Sequence, residues 1–300
     1  MFTNFFLLRI RSHIEYDITK NIYEYIISRD IKKSLTLLTR NIDEEGKKLI
    51  NLILDRHNYI YKHNLILSKY TNSEYLDQDI SLKKYFKKFP NFDKYLFETF
   101  YSHNGLKYVS DGAIKKIENT DVIDCGAFIG DSALIFSKEY NFRHIYSFEP
   151  EKDNYESLKR NIKKFNMSNV KAIKMGINSK TDNLYMNGER EGSKISTSGE
   201  NLIRMTSIDR FVKNNNICPG LIKMDIEGME YDAVIGATSS IVKYRPVMLI
   251  SIYHTGKDFF EIKPYVEKIS NDGYLFKVKK TTPFDLIREV MLICIPKNTK

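Results

Sequence analysis

The sequence predicts a doubly wound α/β fold with a mostly parallel sheet, preceded by a helical N-terminal region. Three observations carry that prediction. The stretch VIDCGAFIGDSALIF, Val122 to Phe136, reads as a buried strand, a glycine turn and a helix. An acid, Glu149, stands where the next apolar run, HIYSFEP, should end. From there to the C-terminus, apolar runs alternate with helical segments, the pattern of strands joined by crossover helices.

The N-terminal region comes first. Residues 1–103 form one predicted unit, a helical extension, and residues 104–300 a second. ITKNIYEYIISRDIKKSLTLLTR places Ile22, Tyr25, Ile26, Leu35, Leu37 and Leu38 at near-helical spacing, and the segment with Leu49, Leu52 and Ile53 continues it. MFTNFFLLRIR is apolar for too few residues to be a signal or a membrane span and is expected to be a buried helix. His57 and His63 are six apart, which is not a helical-face pair, and are expected on the helix surface. SLKKYFKKF is expected to be a solvated helix face with aromatic anchors. The extension either covers the active site or makes a homodimer.

The remaining elements follow in order. LKYVSDGAIKKI, Leu106 to Ile117, is expected to be a hairpin turning at Ser110-Asp111-Gly112. After the strand at Val122, Asp131 or Ser132 caps a helix over 131–140. Strand 144–148, helix 152–165 and strand 170–175 come next. Residues 181–206 are polar, with short alternating pieces expected to form an excursion of short strands. A short helix capped by Thr206 or Ser207 precedes the strand LIKMDIE, helix 229–237, strand VMLISIY and helix 258–270. YLFKVKK and REVMLICIP have only a turn between them and should pair antiparallel.

Composition narrows the function classes. In 300 residues with 42% hydrophobic content, 20 Tyr and 18 Phe fill the core without a Trp. The net charge of +9 is spread along the chain rather than gathered in a tail, so it argues little for nucleic acid. Cys125, Cys218 and Cys294 show no metal or redox spacing; Cys125 and Cys294 read as small buried hydrophobes, in keeping with a reducing cytoplasm. No transmembrane segment and no metal-ligand spacing are evident.

The glycine turn selects the cofactor. A dinucleotide site wants G-x-G-x-x-G aimed at a pyrophosphate. Here Gly126 and Gly130 are four apart and flanked by Asp124 and Asp131. Two carboxylates repel a pyrophosphate and suit a sulfonium and an amino group, which favours S-adenosyl-L-methionine over a nicotinamide dinucleotide.

The blocks VIDCGAFIGD, SFEPEKDNYESLKRNI, MTSIDRF, LIKMDIEGMEYDAVIGA and RPVMLISIYH, in that order over residues 100–296, resemble the FkbM family of S-adenosylmethionine-dependent methyltransferases. The resemblance implies the seven-stranded, Rossmann-like sheet of the class I methyltransferases, and O-methylation of a small or glycan-linked hydroxyl in surface-polysaccharide or natural-product pathways.

The cofactor is then expected to meet Asp124, Gly126, Phe128 and Gly130 along its methionine part, with Asp131 and Ser132 over the helix start. Glu149 accepts from the ribose hydroxyls, and Gly176 and Ile177 end the third strand near the adenine. Methyl transfer is an in-line displacement that needs an aligned acceptor oxygen and, for an alcohol, a proton acceptor. Asp225 ends the strand beside the first one, with Glu227 just beyond, and either is a candidate to position the acceptor or remove its proton. His254 ends the next strand, in SIYH, and is expected to take the proton while Asp225 orients the acceptor. Two other classes compete. A nucleic-acid methyltransferase lacks its Asn/Asp-Pro-Pro-aromatic signature here, and a non-catalytic scaffold would not need the glycines and Glu149.

Overall fold

A computed structural model describes residues 16–63, 82–187, 194–196, 201–282, 285 and 287–297. The expected helix over MFTNFFLLRIR lies outside them. The chain begins with three helices, α1 (16–27), α2 (Ile31–Thr39) and α3 (Glu44–His63). Shorter ones follow: α4 (Lys83–Lys88), α5 (Phe97–Phe100), a 3-10 turn over His103–Tyr108, and α6 (Asp111–Ile117).

The last of these corrects the expected hairpin. Ser110 is an extended N-cap, Asp111 lies in the first turn and Lys115 and Lys116 in the last, so the charges complement the helix dipole. Among the described residues no strand pairs with this segment, and local helix signals prevail. His57 also departs from expectation. It is fully buried, with Nδ1 3.1 Å from Thr19 Oγ1, and burial pushes its pKa down to about 3.

The α/β part runs β1 (Asp121–Cys125), α7 (Asp131–Glu139), β2 (His144–Phe148), α8 (Lys152–Lys164) and β3 (Val170–Ile173). Then come the short strands β4 (Gly176–Ile177), β5 (Asn183–Asn187), β6 (Lys194–Ser196) and β7 (Asn201–Thr206), and α9 (Ile208–Asn214), whose N-cap Ser207 accepts from Arg210 N. The chain closes with β8 (Pro219–Met224), α10 (Glu230–Ile235), α11 (Thr238–Tyr244), β9 (Val247–Ser251), α12 (Gly256–Ile269), β10 (Tyr274–Lys280) and β11 (Val290–Pro296). The helix expected at 229–237 is α10; a further helix, α11, follows it after Gly236, where a Cβ would lie 2.4 Å from the Asn178 carbonyl oxygen.

The main sheet has seven strands in the order β10-β11-β9-β8-β1-β2-β3. β11 pairs antiparallel with both β10 and β9, and the other pairs are parallel. A second, four-stranded sheet has the order β4-β7-β5-β6. The central strands are covered on both faces, so apolar residues dominate them, with the buried pair Asp124 and Lys223 as an exception. Ile123, Ile222 and Ile250 face one core, shared with Ile22, Leu38 and Ile53 of α1–α3. Val122, Leu221 and Leu249 face the other, shared with Tyr85 and Phe100 of α4 and α5. The N-terminal helices therefore build both cores. They are tied to α12 by a buried network: Lys263 Nζ donates to the Leu37 and Arg40 carbonyls and lies 3.0 Å from Glu267 Oε2. Arg40 Nη2 and Asn41 Nδ2 reach the same carboxylate at 2.7 and 2.9 Å. Among the described residues no helix is long and apolar enough to cross a membrane.

Candidate active site

Strand order reverses between β1 and β8, and the loops leaving their carboxyl ends touch. The Asp225 amide donates to the Cys125 carbonyl at 3.1 Å, and a Cβ on Gly126 would lie 1.8 Å from the Asp225 carbonyl oxygen. Only glycine fits there, and its φ of 79° is one that other residues rarely adopt. Gly130, at φ 91°, is the N-cap of α7, and a Cβ on it would meet Leu158 at 2.7 Å. Both glycines are thus required by packing inside the protein. Neither Asp131 nor Ser132 caps α7 through its side chain; both are buried in its first turn.

On the β1–β2 side, Glu149 is 6% exposed and is held by two amides. Its Oε2 accepts from Phe128 N at 2.9 Å and its Oε1 from Glu151 N at 3.0 Å. Each oxygen keeps a lone pair for a further donor. Burial pushes its pKa up to about 7. Asp131 accepts from Thr99 Oγ1 at 2.6 Å. Beside them is Asn104, 3% exposed, whose Oδ1 is 3.4 Å from the same hydroxyl and whose Nδ2 has no partner. A buried free donor next to a buried acid is the pairing that the carboxylate and ammonium of an amino acid require. Asp124, by contrast, is enclosed within the sheet. Ser147 Oγ donates to it at 3.0 Å, and Lys223 Nζ stands 3.6 Å away while donating to the Gly126 carbonyl at 2.7 Å. Burial opposes the charge on Lys223, but Asp124, Asp225 and Asp131 outweigh it and raise its proton affinity.

On the β8–β9 side, three carboxylates surround His254. Its side chain is 6% exposed, with Nδ1 3.0 Å from Glu230 Oε1. Nε2 is 3.7 Å from both Asp225 Oδ1 and Glu227 Oε2. Burial lowers the ring's proton affinity, but Glu230, Glu227 and Asp225 raise it well above the ordinary value. Glu230 is fully buried and braces the loop, with Oε1 accepting from Ile226 N at 2.7 Å and Oε2 from Gly228 N at 2.9 Å. Glu227 has a left-handed φ of 57° and an exposed side chain. More acids complete the edge. Glu98 of α5 is pushed up to about 7 by burial, with Asp131 and Asp225 adding to it. Glu289 accepts from Tyr253 Oη at 3.1 Å.

Residues 124–279 match the family model described as the methyltransferase FkbM domain. The chain belongs to this family. It is also similar to the hexuronic acid methyltransferase AglP of Haloferax volcanii, at 24% identity over 180 residues that span 57% of this chain and 72% of the relative. The crystal structure of methyltransferase FkbM from Methylobacillus flagellatus KT superposes with a TM-score of 0.62 at 22% identity, over 89% of this chain. The match covers 59% of that longer protein, and at this identity the likeness speaks for the fold.

The FkbM domain brings Gly126, Phe128, Gly130, Asp131, Ser132 and Glu149 together at one turn, and Asp225, Glu227 and His254 at the adjoining one. Two expectations change. Gly176 and Ile177 do not end the third strand, which stops at Ile173; they pair with Met205 and Thr206 in the second sheet. Asp124 sits behind the turn as a buried partner of Lys223 and Ser147. Sequence reading also missed Glu98, Thr99, Asn104, Glu230 and Glu289. Only Glu230 had a signal: DIEGME spaces three acids along one strand-to-helix loop.

Proposed function

We propose that this chain transfers a methyl group from S-adenosyl-L-methionine to a hydroxyl of a sugar or glycan-linked small molecule. The observation that carries it is the Glu149 carboxyl, fixed by two backbone amides at the end of β2, where a ribose diol would find two ready acceptors. Phe128 and the β1 turn border the same place. Asn104 Nδ2 and Asp131 answer the carboxylate and ammonium of the cofactor's amino-acid end. The cofactor supplies the activated methyl. The sugar acceptor is supported by the similarity to a hexuronic acid methyltransferase.

The chain's own residues then orient the acceptor and move one proton. Asp225 holds the acceptor hydroxyl. Glu227 takes the proton, because it is the open member of the cluster, 59% exposed. The ring of His254 is enclosed by carboxylates that favour its charged form, the opposite of what a base needs. The N-terminal extension covers this site, since α5 delivers Glu98 and Thr99 to it. Calorimetry with S-adenosylmethionine and a methyl-transfer assay on hexuronic-acid oligosaccharides test the reading together. Glu149→Ala removes hydrogen bonds to a charged acceptor, each worth about 1.5–3 kcal/mol, and should weaken cofactor binding roughly ten- to hundredfold. Glu227→Gln should lower turnover by roughly 10²–10⁴ with cofactor affinity within about threefold. Unchanged cofactor binding in Glu149→Ala refutes the assignment.

A further inference from the structure

We propose that Asp225, Glu230 and His254 form a binding site for a divalent first-row transition cation at the acceptor side of the crevice. One carboxylate oxygen from each acid and one ring nitrogen of His254 lie within 4.8 Å of one another. The three come from the carboxyl ends of two neighbouring parallel strands and the first residue of the helix between them, so the sheet itself sets their spacing.

Two further observations point to a cation. The first is the state of the imidazole. Both ring nitrogens are buried; Glu230 Oε1 stands 3.0 Å from Nδ1 and Asp225 Oδ1 3.7 Å from Nε2, and neither contact has the alignment of a good hydrogen bond. An imidazole serving only as a structural link would aim an N–H at one of them. Two atoms bound to one ion instead sit side by side. With bonds of about 2.0–2.2 Å, adjacent ligand atoms are about 2.8–3.6 Å apart, a range that includes the 3.0 Å between Nδ1 and Glu230 Oε1. The second is the state of the acids. The amides of Ile226 and Gly228 fix Glu230 in place and leave each oxygen a lone pair, which is how a ligand carboxylate is commonly oriented. Asp225, 31% exposed, keeps its carboxylate open to the crevice with Oδ1 3.7 Å from His254 Nε2.

The donor set selects the ion. One imidazole and two carboxylates suit manganese, cobalt or zinc better than magnesium or calcium, which prefer oxygen alone. Three protein ligands leave coordination positions open for water or an acceptor oxygen. A cation there would sharpen the orientation of a hydroxyl beside Glu227. The site goes beyond the methyl-transfer reading and is tested without the cofactor.

The full chain, stripped with a chelator, is titrated with manganese(II) while free ion is followed by electron paramagnetic resonance. One ion per chain should bind with a dissociation constant below about a millimolar, and spin-echo modulation of the bound ion should report imidazole nitrogen. His254→Gln should weaken binding at least tenfold. Asp225→Asn, at a partly exposed position that folding tolerates more readily, should do the same, with circular dichroism confirming the fold. Absence of binding at a millimolar, or bound ion without nitrogen coupling and unaltered by either substitution, overturns the proposal. Cofactor affinity of the stripped wild type is measured alongside, so a missing metal site and a missing cofactor site are told apart.

Discussion

Glu149→Gln isolates the carboxyl on which the cofactor reading depends. Burial raises this acid from its ordinary 4.5 to about 7. Between those values the folded chain keeps a proton that the unfolded chain has released, so stability declines as pH rises through the window. The stabilising contribution is complete below pH 4.5 and gone above about 7. At 1.36 kcal/mol for each pH unit, that span corresponds to about 3 kcal/mol. Glutamine imitates the neutral acid and cannot titrate. It also turns an NH₂ toward one of the two amides of Phe128 and Glu151, a cost of about 1–3 kcal/mol that does not vary with pH. Urea unfolding of both proteins from about pH 4.5 to 8 should therefore show the wild type losing its advantage by about 3 kcal/mol. Glu98 and Asp258 also titrate near 7, but they are present in both proteins and cancel in the difference. A difference that stays flat across the range refutes the buried-carboxyl argument. With cofactor present, the wild-type affinity should rise by up to about tenfold per pH unit toward 7, as the carboxylate that accepts from the ribose becomes populated, and the variant should show no such rise.

Three other outcomes are expected. Gly126→Ala places a Cβ 1.8 Å from the Asp225 carbonyl and forces a side chain onto a φ of 79°; strain and overpacking together should cost roughly 2–5 kcal/mol in denaturant unfolding. Removing residues 1–103 uncovers the cores that Ile22, Leu38, Ile53, Tyr85 and Phe100 fill, at about 1.5–3 kcal/mol for each large side chain, which exceeds the usual total stability; the truncated chain should show no cooperative melt by circular dichroism. Asn104→Ala removes a buried donor that has no protein partner and leaves alanine at a left-handed φ of 52°, so stability should fall by about 1–2 kcal/mol while cofactor affinity by calorimetry falls roughly tenfold; an unaltered affinity would separate Asn104 from the cofactor.

The sheet was legible because its strands are buried on both faces. Val122–Cys125, Leu221–Met224 and Val247–Ile250 are apolar on both faces except at Asp124 and Lys223, which pair with each other; Gly126 and Asp225 follow the first two directly, and His254 comes four residues after the third. The antiparallel closure was legible from the short Lys280–Val290 connection. What escaped has local causes. Ser110-Asp111-Gly112 suits either a turn or a helix start, and only the missing strand partner decides. His57 gives no sign that Thr19, thirty-eight residues earlier, will meet it in the core. Glu98, Thr99 and Asn104 belong to a segment without any motif, and tertiary packing alone carries them to the site. Glu230 is marked in the sequence only by its place in DIEGME; as the first residue of a helix it reads as a dipole partner, and α10, α11 and β9 separate it from His254.

The position of the strand reversal gives the proposed site its division of labour. β1 and β8 are neighbours from which the chain departs in opposite senses, so their loops diverge and leave a crevice between them. Glu149 ends β2 on one side of β1, and His254 follows β9 on the far side of β8. A donor held at Glu149 and an acceptor held at Asp225 therefore approach from opposite sides and meet above β1. Beneath that meeting point the two loops are joined by the Asp225 amide donating to the Cys125 carbonyl and by the close approach of Gly126 to the Asp225 carbonyl. The acids on both walls suit the ligands proposed above: a sulfonium and an ammonium on one side, hydroxyls and a cation on the other. Lys223 offsets part of that accumulation from behind the turn, where it neutralises Asp124 and binds the loop carbonyls without entering the crevice.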